Sequence, residues 1–299
     1  MHFKTVALVG RYQDTGLEAP LRALADILKS AGCEVIVEAE TATNTGLSEY
    51  AIADFGEIGR RASLALVVGG DGTVLGTARH LAPYGVPLVG INHGRLGFIT
   101  DIALDRARDA LNDILHGRYI SEERMLLQGS VWRGDEEMYC ASALNDVVLN
   151  RAGRGGMIEV RVELDGIFMY GLRADGLIIA TPTGSSAYAL SANGPLIHPA
   201  MNAMLLVPVA PQALSNRPIV IPDSGELDLT LTAMGRVEVG ASVHFDMQTW
   251  SDLLPGDRIR VRRAPHTIRL LHPEGYSFFS TLRHKLNWNR MPHNPDYSD

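Results

Sequence analysis

Leu64-Ala65-Leu66-Val67-Val68-Gly69-Gly70-Asp71-Gly72-Thr73 is an apolar run that stops in a glycine turn. Five apolar residues without polar alternation predict a strand buried on both faces, as in parallel sheets. Behind the turn, Thr73–Leu81 has helical spacing. Strand, glycine turn and helix make half of a βαβ unit, and the flanking segments repeat the pattern. Upstream, Thr5–Val9 is an apolar run ending at Gly10. Leu17–Ala31 sets Leu17, Leu21, Leu24, Ile27 and Leu28 at helical spacing before Gly32, and Glu34–Val37 reads as a second strand. Downstream, Leu88–Ile91 is a further strand and Asp105–His116 a helix closed by Gly117. Strands alternating with helices predict an α/β domain with a parallel sheet over residues 1–120.

Past residue 120 the helical period fades. Runs rich in Val, Ile, Leu and Thr follow one another between Gly, Pro, Asp and Asn: Asn145–Leu149, Met157–Leu164, Leu177–Ala180, Leu205–Val209, Glu226–Leu231, Arg258–Val261 and Thr267–Leu271. Ile158–Leu164 alternates apolar with charged residues, the mark of a half-buried strand. The prediction is an all-β domain of layered sheets over 121–281, with Ser185–Ser191 as its one helix. Leu282 to Trp288 reads as helical, and the last residues, with Pro292 and Pro295, as a frayed end.

Length and charge narrow the class. The chain has 299 residues, which suggests about two domains. Its net charge of -7 disfavours a general nucleic-acid binder. No apolar run approaches the roughly 20 residues of a membrane span, and the longest, near Met204–Val209, is interrupted by Pro208. Met1–Val9 lacks the layout of a signal peptide, and Cys33 and Cys140 make neither a disulfide framework nor a zinc site, so a reduced cytoplasm is expected. Only Lys4, Lys29 and Lys285 are lysines, against 24 arginines. No Gly-Lys pair occurs, which removes the phosphate-binding lysine loop of P-loop enzymes.

Four blocks carry chemistry. Gly69, Gly70, Gly72 and Thr73 let backbone N–H groups approach an anion at a helix N-terminus. Asp71 among them suits a metal ion or a proton to be removed, since two anions repel, although a strand-to-helix turn with a capping aspartate has the same sequence. The Rossmann fingerprint fails by one residue, because three residues separate Gly72 from Gly76. The second block is Asn92-His93-Gly94-Arg95-Leu96-Gly97-Phe98, at the end of a strand where α/β sheets bind ligands, or simply a turn. The third, Asn145-Asp146, offers donor and acceptors to a ribose diol, or forms a polar turn. The fourth is Arg173-Ala174-Asp175-Gly176 with Thr181-Pro182-Thr183-Gly184-Ser185-Ser186-Ala187-Tyr188, where hydroxyls and an aromatic ring suit a sugar and a base, or cap a helix.

These blocks, in this order, resemble the NAD kinase family. The likeness runs from Leu64 to about Leu286 and includes Ala192-Asn193-Gly194-Pro195, Leu214-Ser215-Asn216-Arg217-Pro218 and Tyr276-Ser277-Phe278-Phe279. A glycine turn of this kind also occurs in diacylglycerol kinases and 6-phosphofructokinases. The block Asp175–Tyr188 is far more selective. The resemblance implies an α/β domain and an all-β domain with the active site between them, and a last segment, 282–299, rejoining the first domain. It implies transfer of the γ-phosphoryl group of ATP, with Mg²⁺ as the usual divalent metal, to the 2′-hydroxyl of the adenosine ribose of NAD. Asp71 matches the family's proton acceptor and Gly72 its backbone partner. Asn145 and Asp146 match the pair that holds NAD, and Arg173 and Asp175 match polar contacts to the dinucleotide. Ser186, Ala187, Tyr188, Ala189, Leu190 and Ser191 match the segment around adenine and ribose, and Gln248 a late polar contact. Family members usually form dimers or tetramers. The sequence departs from many members at Gly76, where they carry a cationic residue, from some at Gly156, where they carry an NAD-contacting His or Arg, and from the commoner Pro-His pair at Val209-Ala210-Pro211-Gln212.

Overall fold

A computed structural model of the chain describes residues 2–11, 13–94, 97–152, 156–234 and 240–288. Arg95, Leu96, Pro292 and Pro295, named above, lie outside the described residues. The chain divides into two compact units. One takes the chain up to Glu122 and again from Ile268 on, and the other is Glu123–Thr267. The chain thus rejoins the first unit ahead of Leu282.

In the first unit a parallel sheet runs in the order Ala51–Ala53, Glu34–Glu38, Thr5–Gly10, Leu64–Gly69, Leu88–Asn92. All of Leu64–Gly69 is buried, as its unbroken apolar sequence requires. Strand order reverses between Thr5–Gly10 and Leu64–Gly69, so the glycine turn lies at the topological switch point, where open α/β sheets bind ligands. Leu21, Leu24 and Leu28 of the helix Glu18–Ser30 and Leu111 and Ile114 of the helix Ala107–Leu115 bury their apolar stripes in one core with Val6, Leu8 and Leu66 of the strands.

Two short helices of this unit have no apolar period. Ala39–Thr45 starts where the Glu38 carboxylate accepts from the amides of Glu40 and Thr41, and it stops at Gly46, whose φ is 70°. Phe55–Arg61, with two glycines, is capped by Asp54, which accepts from the Glu57 amide. A cap bond of this kind contributes about 1 kcal/mol, enough to start a helix that propensity alone would not. The helix Phe278–Leu286 overlaps the expected Leu282–Trp288 but starts a turn earlier and ends at Asn287, whose φ is 49°; it buries Leu282.

The second unit is antiparallel β. One set of strands runs in the order Ile167–Ala174, Ile158–Leu164, Leu227–Met234, Arg258–His272. A six-stranded sheet runs in the order Ile219–Pro222, Ala203–Val209, Gly176–Ala180, Asp146–Arg151, Ala241–Phe245, Thr249–Leu253. Ile158, Val160 and Val162 of the first set and Leu149, Leu177, Ile179, Val243 and Phe245 of the second share one core, the layered arrangement expected. Pro208 sits inside a strand and not at a break. The Val209 carbonyl accepts from the Asp175 amide, so Pro208 faces the other edge, beyond Leu206, the last residue paired there. Its missing N–H therefore removes no ladder bond.

Two expectations are corrected, and one hairpin is added that the sequence did not announce. The runs Arg258–Val261 and Thr267–Leu271 are one strand, Arg258–His272, because the intervening Arg262, Arg263 and Pro265 interrupt the apolar pattern but keep the backbone extended. The hairpin Ile120–Arg133 with Glu136–Ala143 gives almost no sequence signal, since its second strand is mostly exposed or half-buried. The expected helix Ser185–Ser191 is a 3-10 turn, Gly184–Ser186, followed by a single helical turn, Tyr188–Ser191. Among the described residues, no helix is long and apolar enough to cross a membrane.

Candidate active site

In the first unit the helix Asp71–Leu81 begins directly on the glycine turn, with Gly70 in extended conformation as its cap residue. Asp71 does not cap its own helix. Its carboxylate reaches across to the segment after Asn92 and accepts hydrogen bonds from the amides of Phe98 (2.7 Å), Ile99 (3.0 Å) and Thr100 (3.1 Å). The Thr100 hydroxyl donates a further bond to Asp71 Oδ1 at 3.1 Å. That hydroxyl itself accepts from Asn92 Nδ2 at 2.9 Å and from the Gly97 amide at 3.2 Å. The first two sequence blocks are thereby joined, with Asp71 as the link.

Gly97 makes the approach possible. A Cβ there would lie 1.9 Å from Asp71 Oδ1 and 2.3 Å from Thr100 Oγ1. Of the four donors to Asp71, three belong to fixed backbone and one to a hydroxyl that can rotate. Three of these bonds end on Oδ1 and the Phe98 bond on Oδ2, so the arrangement fixes the direction of the carboxylate. Gly69, at the end of its strand, is level with Asn92, and the Thr73 amide donates to the Gly70 carbonyl.

In the second unit the third and fourth blocks converge. The Asn145 carbonyl accepts from the Thr181 amide, and Thr181 Oγ1 donates to the Leu144 carbonyl at 2.6 Å while accepting from the Gly184 amide at 3.0 Å. A Cβ on Gly184 would lie 2.0 Å from the Asn145 carbonyl oxygen, so the two turns meet only because residue 184 is glycine. Ser185 is buried, with its hydroxyl bonded to the Pro182 carbonyl and the Ile197 amide. Ser186, Ala187, Tyr188 and Leu190 are half-buried and Ser191 is exposed. Ala189 is fully buried among Val148, Ile178 and Leu205, so it supports this segment from below and presents no side chain to a ligand.

Asp246, which the sequence reading passed over, organises this cluster. Its carboxylate accepts from the amides of Leu144 (3.0 Å), Asn145 (2.7 Å) and Asp146 (3.2 Å). Asp246 and Met247 both have positive φ and form the two-residue hairpin turn closed by the Gln248 amide on the Phe245 carbonyl. Such turns favour Asn-Gly, and a Met at φ 54° is uncommon. Asp246-Met247 lacks the glycine that marks such a turn, so nothing local in the sequence points to this residue. Beside it, Asp146 is buried, and burial, aided by the Asp246 charge, pushes its carboxyl up to about 7.

Arg173 and Asp175 are not part of this cluster. Gly176 pairs with Asn150 while Ala180 pairs with Asp146, so Asp175 and Thr181 mark opposite ends of one strand. Six residues of strand span roughly 20 Å. At that far end Asp175 pairs with Arg151 at 2.8 Å, and the Arg173 carbonyl accepts from the Gln212 amide. Among the described residues, no group of three or more His, Cys, Asp or Glu side chains is placed to hold a metal ion. Mg²⁺ bound through nucleotide phosphates needs no such cluster, since one or two carboxylates complete its shell.

Comparison with known proteins bears on both units. Residues 6–119 match the ATP-NAD kinase N-terminal domain and residues 144–272 the ATP-NAD kinase C-terminal domain. The chain is 76% identical over 296 residues to a protein named NAD kinase from Bordetella parapertussis, covering 99% of each. It is 54% identical over 290 residues to an NAD kinase from Ralstonia nicotianae, covering 97% of this chain and 95% of that one. In fold it is similar to yeast NADH kinase, solved in complex with NADH, with a TM-score of 0.88, 22% identity, and coverage of 98% of this chain and 90% of that one. An NAD kinase from Archaeoglobus fulgidus, solved with ATP, has a TM-score of 0.70 at 22% identity, covering 95% of this chain and 97% of the other. With both domain families matched in order and near-complete relatives at such identity, the chain belongs to the NAD kinase family.

Proposed function

We propose that this kinase transfers the γ-phosphoryl group of ATP to the 2′-hydroxyl of the adenosine ribose of NAD, forming NADP and ADP. The observation that carries the reading is Asp71, whose carboxylate is aimed by the amides of Phe98, Ile99 and Thr100 at the end of the glycine turn. A ribose hydroxyl is a weak nucleophile, and a positioned carboxylate that accepts its proton contributes about 100-fold or more. Asp71 Oδ2, which accepts one described hydrogen bond against three on Oδ1, is the oxygen that takes that proton. Gly69, Gly70 and Thr73, around the N-terminal end of the helix Asp71–Leu81, form the loop that receives the phosphates, and Gly72 is the backbone partner of Asp71 at the ligand. Mg²⁺ supplies charge neutralisation on the ATP phosphates, which a chain with three lysines otherwise meets with arginine and backbone.

Asn145 and Asp146, fixed through Asp246, hold the ribose, and Ser186, Ala187, Tyr188, Leu190, Ser191 and Gln248 surround the adenosine. Arg173 and Asp175 stand at the other end of the strand from that cluster, and their contacts to the dinucleotide are assigned to a second copy of the chain, in keeping with the dimers or tetramers that family members usually form. The enzyme accordingly works as a dimer or tetramer, in the cytoplasm, where Cys33 and Cys140 stay reduced. The test is purified protein with Mg-ATP and NAD, the product read by a dehydrogenase specific for NADP. Phosphate on the adenosine 2′-oxygen is the expected result. Transfer to diacylglycerol or fructose 6-phosphate in its place, or binding of NAD without turnover, would overturn the reading.

A further inference from the structure

The segment that aims Asp71 is itself anchored one residue further on. Asp101 follows Thr100 directly, and its Oδ2 lies 2.9 Å from His272 Nδ1. His272 ends the strand Arg258–His272 and is buried, at 1% exposure. On the opposite side its Nε2 lies 3.6 Å from Glu122 Oε2, an ion-pair distance longer than a hydrogen bond. Tyr276 covers the ring face, stacked at 3.8 Å between centroids and 9° between planes. The titratable groups at the ring are thus Asp101 from the segment after Asn92, Glu122 from the strand Ile120–Arg133, and Tyr276 from the turn after His272. A histidine with a carboxylate at each nitrogen and a ring stacked over it is a clamp, and none of its members touches Asp71.

We propose that His272 is a positioning residue: by clamping Asp101 it fixes the backbone of Gly97–Thr100, and through those amides the direction of the Asp71 carboxylate. The inference rests on the reading of Asp71 given above. Burial favours the neutral ring, but the hydrogen bond to Asp101 and the nearby Glu122 carboxylate outweigh it and hold the imidazole above its ordinary value. The ion pair is therefore complete below the ordinary histidine range and is lost as pH rises through the raised value. The anchor is tightest in acid and loosens in alkali.

Three variants test this: His272→Asn, which keeps a donor at the Nδ1 position without charge, and Asp101→Asn and Glu122→Gln, which keep shape. The first readout is amide hydrogen exchange at Phe98, Ile99 and Thr100 without substrate. The second is the pH profile of kcat, with KM for NAD. His272→Asn should speed exchange at those amides about tenfold, the loss of a charge-assisted hydrogen bond. It should lower kcat about tenfold with KM for NAD nearly unchanged, and remove the alkaline fall in kcat that belongs to His272. Asp101→Asn should do the same and Glu122→Gln less. Unchanged exchange, or a change in KM alone, overturns the proposal. If His272→Asn does not fold, Glu122→Gln decides on the same readouts. The exchange arm needs no turnover, so a wild-type protein that made no NADP would sink the functional reading while this arm still judged the clamp.

Discussion

Among the described residues, the Asp71 carboxylate accepts from four donors, all of them in Phe98–Thr100. The close fit gives the first prediction. Gly97→Ala would drive a methyl group into Asp71 Oδ1, and a displacement of about 1 Å at a catalytic group costs on the order of 100-fold in rate. Its kcat should fall by about that much with KM for NAD little changed, measured by steady-state kinetics. Asp246 gives the second. Asp246→Ala leaves the amides of Leu144, Asn145 and Asp146 without their acceptor, at about 1–3 kcal/mol of unfolding free energy, read by urea denaturation, with a raised KM for NAD. The third concerns pH. Asp146 is held up to about 7 against 3.8 for a free carboxyl, so its contribution to stability is complete below 3.8 and is lost as pH rises through about 7. The wild type should therefore lose stability relative to Asp146→Asn between those limits, a difference visible in unfolding curves taken across that range.

Elements differ in how much of themselves they show in sequence, and the reason is burial. Leu64–Gly69 and the helix Glu18–Ser30 were legible because a core reads their periodicity directly. Ala39–Thr45, Phe55–Arg61 and the hairpin Ile120–Arg133 with Glu136–Ala143 were not, since caps and edge pairing hold them and apolar period contributes little. The site follows the same rule. The glycine turn and the Thr181–Tyr188 block stand out as local composition. Asp246 and His272 do not, because each acts on residues about 100 or more positions away. Ala189 sits in the core because a segment that borders a ligand also needs a face that meets the core. Ile178, fully buried behind that segment, tests the point: Ile178→Ala should cost about 2–5 kcal/mol by denaturation.

At the scale of the whole molecule, the proposed function assigns the phosphates to the α/β unit and the dinucleotide to the β unit, and it expects further contacts from a second chain. Sharing between copies predicts complementation. Asp71→Asn and Asp175→Ala, each of low activity alone, should regain NADP formation when mixed and allowed to exchange subunits, and no recovery would place Asp175 outside the shared site. The central claim is that Asp71 accepts the proton of the NAD 2′-hydroxyl. Its most direct test is the turnover of Asp71→Asn with Mg-ATP and NAD, alongside NAD binding by calorimetry. The account predicts a fall in kcat of about 100-fold or more with NAD binding retained. Near-normal turnover in a protein that still binds NAD would contradict it.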